Sequence, residues 1–160
     1  MENPRETHLL AAKRILKYLQ GMNDLGILYK KGGKSYLIGF TDSDFPGDKD
    51  DRKITSGYVF MLGSGAISWC SKKQPIVTLS TTKAQFVAVT MCASQGIWLK
   101  NILAELCLLP QKPTLIYCDN DSAIKLSKNP DLHGRSKHID VMRLRMSKDT
   151  TVQDHQEALR

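Results

Sequence analysis

The stretch Tyr36-Leu-Ile-Gly-Phe-Thr-Asp42 indicates a buried β-strand that ends in a carboxylate. The stretch Leu115-Ile-Tyr-Cys-Asp119 has the same form. If the two strands are neighbours in one sheet, Asp42 and Asp119 lie close together, and a divalent cation is needed to relieve their repulsion. The two stretches therefore predict a metal-dependent active site at one edge of an α/β sheet.

A third aspartate extends this candidate site. Asp140 follows a basic segment that contains Arg135, Lys137 and His138. Basic side chains contact phosphates, and a histidine near a scissile bond can transfer protons. We therefore expect Asp140 to lie with the other two aspartates around one cation.

The composition predicts one domain with a substantial core and an excess of positive charge. The chain has 160 residues, of which 41% are hydrophobic, and a formal net charge of +7 with a pI near 9.3. Such a charge favours a polyanionic partner, most simply nucleic acid, although surplus lysine on a solvated face gives the same value.

The cysteines and the apolar runs argue against several classes of protein. The four cysteines are scattered without a Cys-x-x-Cys pair, which argues against zinc and against a disulfide framework. No apolar run approaches the length of a membrane span, and no secretory signal opens the chain. We therefore expect an intracellular protein, cytoplasmic or nuclear and not secreted, without a membrane partner.

Hydrophobic periodicity gives the order of the secondary structure elements. The order is helix, strand, hairpin, long helix, strand and short helix, over residues 8–20, 36–41, 57–70, 80–109, 114–118 and 121–128. This order predicts a mixed sheet with helices packed against it. We expect Gly96 to bend or divide the long helix, and Trp69 and Trp98 to lie in the core.

The start of the long helix leaves two roles open for Gln85. The segment Thr82-Lys-Ala-Gln85 matches a capping box, in which the glutamine bonds back to the backbone of Thr82. The same helix is also where a fourth acid is expected to complete the carboxylate site, yet the chain has a glutamine there.

Six short motifs follow one another along the chain: Phe40-Thr-Asp-Ser-Asp44, Arg52-Lys-Ile-Thr-Ser-Gly-Tyr58, Ile67-Ser-Trp-Cys-Ser-Lys-Lys-Gln74, Leu79-Ser-Thr-Thr82, Ile116-Tyr-Cys-Asp-Asn120 and Arg135-Ser-Lys-His-Ile-Asp140. Together they closely resemble the ribonuclease H region of copia-type retrotransposon Pol polyproteins, particularly those of plants. The resemblance extends from about Pro4 to about Val141.

The resemblance implies a fold, a reaction and a set of site residues. The implied fold is an α/β ribonuclease H-like mixed sheet, three antiparallel strands and then parallel strands, flanked by α-helices. The implied reaction is cleavage of the RNA strand of an RNA–DNA hybrid, with two Mg²⁺ ions held by four acids. Three of these acids match Asp42, Asp119 and Asp140, which are therefore catalytic and metal-binding candidates. The nucleic-acid-binding candidates are Lys72, Lys73, Arg135, Lys137 and His138.

One position departs from the family pattern in a way that bears on activity. The family's Ser-Thr-Thr-Glu-Ala-Glu-Tyr motif reads Ser80-Thr-Thr-Lys83-Ala-Gln85-Phe86 here, so the fourth catalytic position holds Gln85. Residues two apart on a helix point to different sides, so Lys83 does not replace the missing ligand. Because an amide lacks the full negative charge of a carboxylate, we expect a weakened Mg²⁺ site and weak or absent cleavage.

The resemblance also divides the chain. Residues 1–34 match the segment that connects the reverse transcriptase region, residues 35–146 form the ribonuclease H-like domain, and residues 147–160 form a divergent polar tail that we expect to be disordered. The favoured hypothesis is a ribonuclease H-like domain with impaired catalysis that binds an RNA–DNA hybrid or another nucleic acid. The alternatives are a non-catalytic nucleic-acid-binding remnant and an inert product, and the motifs argue against an integrase core.

Overall fold

The computed structural model describes residues 4–30, 36–44, 53–78, 80–108, 113–128 and 150–155. The order of the predicted elements is confirmed, and β4 and α3 have the predicted bounds. In chain order the elements are α1 (Glu6–Gln20), β1 (Leu37–Asp44), β2 (Thr55–Leu62), β3 (Gly65–Lys73), α2 (Thr81–Glu105), β4 (Thr114–Cys118), α3 (Asp121–Lys128) and β5 (Thr150–Asp154).

The described strands form one mixed sheet in the order β3-β2-β1-β4-β5. β1 pairs antiparallel with β2 and parallel with β4, β2 pairs antiparallel with β3, and β4 pairs parallel with β5. This arrangement confirms the predicted ribonuclease H-like sheet with flanking helices. Because β1 and β4 are parallel neighbours, their carboxyl ends meet at the same edge of the sheet. Asp42 and Asp119 therefore belong to one edge.

Helix α2 packs against the sheet through a phenylalanine that two glycines accommodate. Phe60 of β2 is fully buried. A Cβ atom added to Gly39 of β1 would lie 2.8 Å from the Phe60 ring, and one added to Gly96 of α2 would lie 3.1 Å from it. Gly96 does not divide the helix, because α2 is continuous over residues 81–105. Gly96 instead lets the helix approach the ring closely.

By length and composition alone, α2 could cross a membrane. In this fold 56% of its most apolar stretch is buried inside the protein, where it packs on the sheet. The expectation that no segment is long and apolar enough for a membrane span is therefore wrong. A helix that is apolar on most of its surface is also what the core of a small α/β domain requires.

Helix α1 contributes nothing to this core. It begins at Glu6, two residues before the predicted start, and none of its residues is buried. Its apolar side chains Leu9, Leu16 and Leu19 are more than half exposed. The chain after it returns to the sheet at the β2–β3 turn, where the Tyr29 hydroxyl donates to the Ala66 carbonyl at 2.5 Å.

The prediction of a disordered tail is wrong for residues 150–154, which form β5. This strand pairs with β4 along its whole length, from Thr150 beside Thr114 to Asp154 beside Cys118. The following His155 ring contacts the Phe40 ring edge-on, with centroids 5.7 Å apart. The segment is polar, but its backbone hydrogen bonds are satisfied by the parallel neighbour.

The two tryptophans also differ from expectation. Trp69 of β3 is 65% exposed and Trp98 of α2 is 55% exposed, so neither lies in the core. Both lie outside the buried hydrophobic cluster, which includes Phe60, Val89 and Ile116.

We predict that Gly39→Ala destabilises the protein by about 1–3 kcal/mol, because the new methyl group overlaps the buried Phe60 ring. Denaturant unfolding measures the change. Gly26→Ala is the control, since a Cβ there meets nothing within 4 Å and its effect should stay within about 0.5 kcal/mol. Phe60→Leu in the Gly39→Ala background should cost less than the sum of the two single changes. Equal effects of Gly39→Ala and Gly26→Ala would contradict this packing.

Candidate active site

The first turn of α2 fixes the position of Gln85. Ser80 is the N-cap, and its hydroxyl accepts a hydrogen bond from the Lys83 backbone N–H at 3.3 Å. The cap is therefore two residues earlier than the Thr82 capping box predicted. Gln85 lies one turn into the helix, is 7% exposed, and bonds across to β1. The sequence leaves two roles open for this side chain, a capping box and a place in the carboxylate site. The structure supports the place in the carboxylate site, because the Gln85 amide bonds to Asp42.

Gln85 donates a short hydrogen bond to the first predicted catalytic aspartate. Its Nε2 lies 2.6 Å from Oδ1 of Asp42 and 3.5 Å from the Ser43 carbonyl oxygen. The Ser43 backbone N–H donates to the same Asp42 oxygen, also at 2.6 Å. One carboxylate oxygen thus accepts two N–H donors, and hydrogen bonds to a charged acceptor are the stronger kind.

The other end of the Gln85 amide faces β4. The Cys118 thiol donates to Gln85 Oε1 across 3.9 Å, a contact between a buried sulfur and a buried amide. Burial raises the pKa of Cys118; a hydrogen bond from the Asn120 backbone lowers it in part, and the nearby carboxylates of Asp119, Asp42 and Asp154 raise it further, so the pKa lies above its usual value. The thiol therefore remains protonated at neutral pH and can act as a donor.

Asp119 also lines the cleft, and the polar residues that follow it in the chain are bonded to α3. It follows β4 directly and is exposed. Asn120 caps α3, since its Oδ1 accepts from the Ala123 N–H at 2.8 Å, and Asp121 pairs with Lys125 at 2.7 Å on the surface. These two polar side chains have structural partners in α3, which leaves Asp119 as the acid that this strand end presents to the cleft.

An open cleft of about 500 Å³ joins these residues. The side chains predicted from the sequence that it brings together are Asp42, Gln85 and Asp119. Its full lining is Asp42, Ser43, Asp44, Thr81, Gln85, Asp119 and Asn120.

The remaining predicted site residues fall into two groups. Lys72 and Lys73 are exposed at the end of β3. Asp140, Arg135, Lys137 and His138 lie outside the described residues, so their places in the site stay predictions.

The described residues do not fit a divalent cation well. Among them, no three His, Cys, Asp or Glu side chains lie close enough together to hold a metal ion. At the position where a fourth acid is expected, Gln85 directs an N–H donor, not an oxygen, at Asp42. A donor hydrogen carries partial positive charge, so it competes with a cation for Oδ1 of Asp42.

Sequence reasoning missed the contribution of Cys118 and of the Ser43 backbone. The alternation along Thr114–Cys118 does place Cys118 on the buried side, next to the strand end, as its burial confirms. That signal could identify it as a neighbour of the site. The contact with Gln85 requires knowledge of how α2 sits on the sheet.

Comparisons with known proteins agree with this architecture. No protein-family model matches the chain. The chain is 48% identical over 141 residues to the retrovirus-related Pol polyprotein from transposon TNT 1-94 of Nicotiana tabacum. It is 45% identical over 141 residues to the corresponding polyprotein from transposon RE1 of Arabidopsis thaliana. Over most of its length the chain is homologous to the retrovirus-related Pol polyproteins of plant transposons.

The Pol-related chain is much shorter than these relatives. Each alignment covers 88% of this chain and 10% of the polyprotein, so the chain spans about a tenth of their length. Among solved structures, the prototype foamy virus protease–reverse transcriptase (CSH mutant) matches 80% of this chain and 18% of its own, with a TM-score of 0.50 and 16% identity. At that identity the likeness concerns the fold alone.

We predict that Gln85→Glu destabilises the metal-free Pol-related chain by about 1–3 kcal/mol, because a carboxylate then faces Asp42 in place of a donor. Thermal unfolding in EDTA measures the loss. Added Mg²⁺ should restore stability to this variant and leave the wild type unchanged. Gln95→Glu, a change of the same charge on the same helix, is the control and should show no Mg²⁺ response. A wild type that Mg²⁺ stabilises as much as Gln85→Glu would contradict the expectation.

Proposed function

We propose that the chain is a retrotransposon-derived ribonuclease H-like domain that binds RNA–DNA hybrids and has largely lost the ability to cleave them. The observation that carries the proposal is the hydrogen bond from Gln85 Nε2 to Asp42 Oδ1, two residues that line the cleft. The ancestral activity is inferred from the family resemblance and from two acids, Asp42 and Asp119, at one edge of the sheet.

The impairment follows from charge and from geometry together. Glutamine removes one negative charge from the site, which lowers its attraction for Mg²⁺. The amide N–H also donates a hydrogen bond to an oxygen of Asp42, and this bond would have to break before that oxygen could bind a cation. If the transition state loses roughly 3–5 kcal/mol of stabilisation, the rate falls about 100- to 5,000-fold.

We predict that the purified chain cleaves an RNA–DNA hybrid in the presence of Mg²⁺ at least about 100-fold more slowly than Gln85→Glu. The assay follows a labelled RNA strand in a hybrid and in single-stranded form, with both variants side by side. Gln95→Glu controls for the added negative charge and should remain as slow as the wild type. Measurable wild-type cleavage at the rate of Gln85→Glu would refute the impairment.

A second candidate function is nucleic-acid binding without any catalysis. The net charge of +7 and the adjacent exposed lysines Lys72 and Lys73 at the end of β3 favour it. Phosphate contacts of this kind depend strongly on salt and little on sequence. The two candidates differ in one respect only, which is whether Gln85→Glu gains cleavage.

We predict that replacing Lys72 and Lys73 together by alanine weakens hybrid binding and lowers the slope of log affinity against log salt by about 2. Gel shifts of the hybrid and of duplex DNA across a salt series provide the measurement. The control replaces Lys13 and Lys17 of α1, which are also exposed and remove the same charge. If both double variants weaken binding equally, net charge and not the β3 lysines accounts for the affinity.

A further inference from the structure

We infer that Cys118 is a positioning residue, which holds the Gln85 amide so that its N–H and not its carbonyl oxygen faces Asp42. The inference rests on the proposed function and deepens it, since it concerns the same cleft. It explains why the side-chain oxygen of Gln85 faces Cys118 and not Asp42. The three groups form one chain of hydrogen bonds: the Cys118 thiol donates to the Gln85 oxygen, and the Gln85 nitrogen donates to the Asp42 carboxylate.

A glutamine amide can occupy the same space in two orientations, which exchange its donor nitrogen and its acceptor oxygen. In the observed orientation the nitrogen meets two acceptors, Asp42 Oδ1 at 2.6 Å and the Ser43 carbonyl at 3.5 Å. The oxygen meets the Cys118 thiol at 3.9 Å. The reverse orientation would place an oxygen against two oxygens and leave the thiol hydrogen without this acceptor.

The thiol matters most when a cation competes for Asp42. A cation at that carboxylate would favour rotation of the amide, because the Gln85 oxygen could then join it as a ligand. Rotation takes the Gln85 oxygen away from the Cys118 thiol, in a side chain that is only 7% exposed and has little access to water. A buried group left without its partner costs free energy, so the thiol opposes the rotation.

The sequence offers a closely matched control for this role. Cys92 of α2 is also a fully buried free cysteine, and it packs in the hydrophobic core cluster with Phe60 and Val89. Replacing Cys92 by alanine removes the same atom from the interior of the protein. Replacing Cys118 by serine keeps a donor at the observed place, whereas Cys118→Ala removes it.

The test is a Mg²⁺ titration followed through the Gln85 side-chain amide signals in nitrogen-15 NMR spectra. We expect these signals to be unaffected by Mg²⁺ in the wild type, in Cys118→Ser and in Cys92→Ala. In Cys118→Ala they should shift with Mg²⁺, and solvent exchange of the two amide protons should be about fivefold faster without it, the effect of one modest hydrogen bond. Unchanged exchange and no Mg²⁺ response in Cys118→Ala would overturn the inference.

A measurement on the wild type keeps the inference testable if Cys118→Ala does not fold. Cross-relaxation from the Gln85 amide protons should be stronger to the β protons of Asp42 than to those of Cys118. The opposite pattern would show the reverse orientation and would refute a positioning role. Neither readout uses cleavage, so failure here is distinguishable from failure of the proposed function, which the hybrid assay decides.

Discussion

The close packing of α2 on β1 is the constraint on which the candidate site depends. The Phe60 ring lies between Gly39 and Gly96; a Cβ atom at Gly39 would overlap the ring, and one at Gly96 would crowd it. This contact seats the helix so that its first turn reaches the end of the central strand. The N-terminal part of the same helix carries Gln85, whose Nε2 lies 2.6 Å from Asp42 Oδ1.

The resulting hydrogen bond changes what the cleft requires. Two carboxylates at this distance would repel each other, and a cation or a shared proton would be needed to relieve them. With an amide in the second place, a donor hydrogen supplies the compensating positive charge. Asp42 then receives its compensating partner from the chain itself, namely the Gln85 N–H. The Asp119 carboxylate is exposed to solvent, where its charge is tolerated.

The secondary structure was largely predictable, and the exceptions share a cause. The alternation and periodicity of β1, β4, α2 and α3 are local, so short stretches of sequence reveal them. β5 has a weak local pattern and exists as a strand because β4 provides its hydrogen bonds. The exposure of Trp69 and Trp98 likewise depends on which face of their elements meets the core, and hydrophobicity alone does not determine that.

By itself, the sequence determined that one apolar stretch leads into Asp42 and another into Asp119, that the chain shares the motifs of its family, and that an amide stands at position 85. Each of these is contained in a stretch of a few residues. The tertiary structure decided which end of that amide meets Asp42 and that Cys118 meets the other end. These contacts join residues 43 and 33 positions apart, so they depend on how α2 lies on the sheet and not on any local pattern.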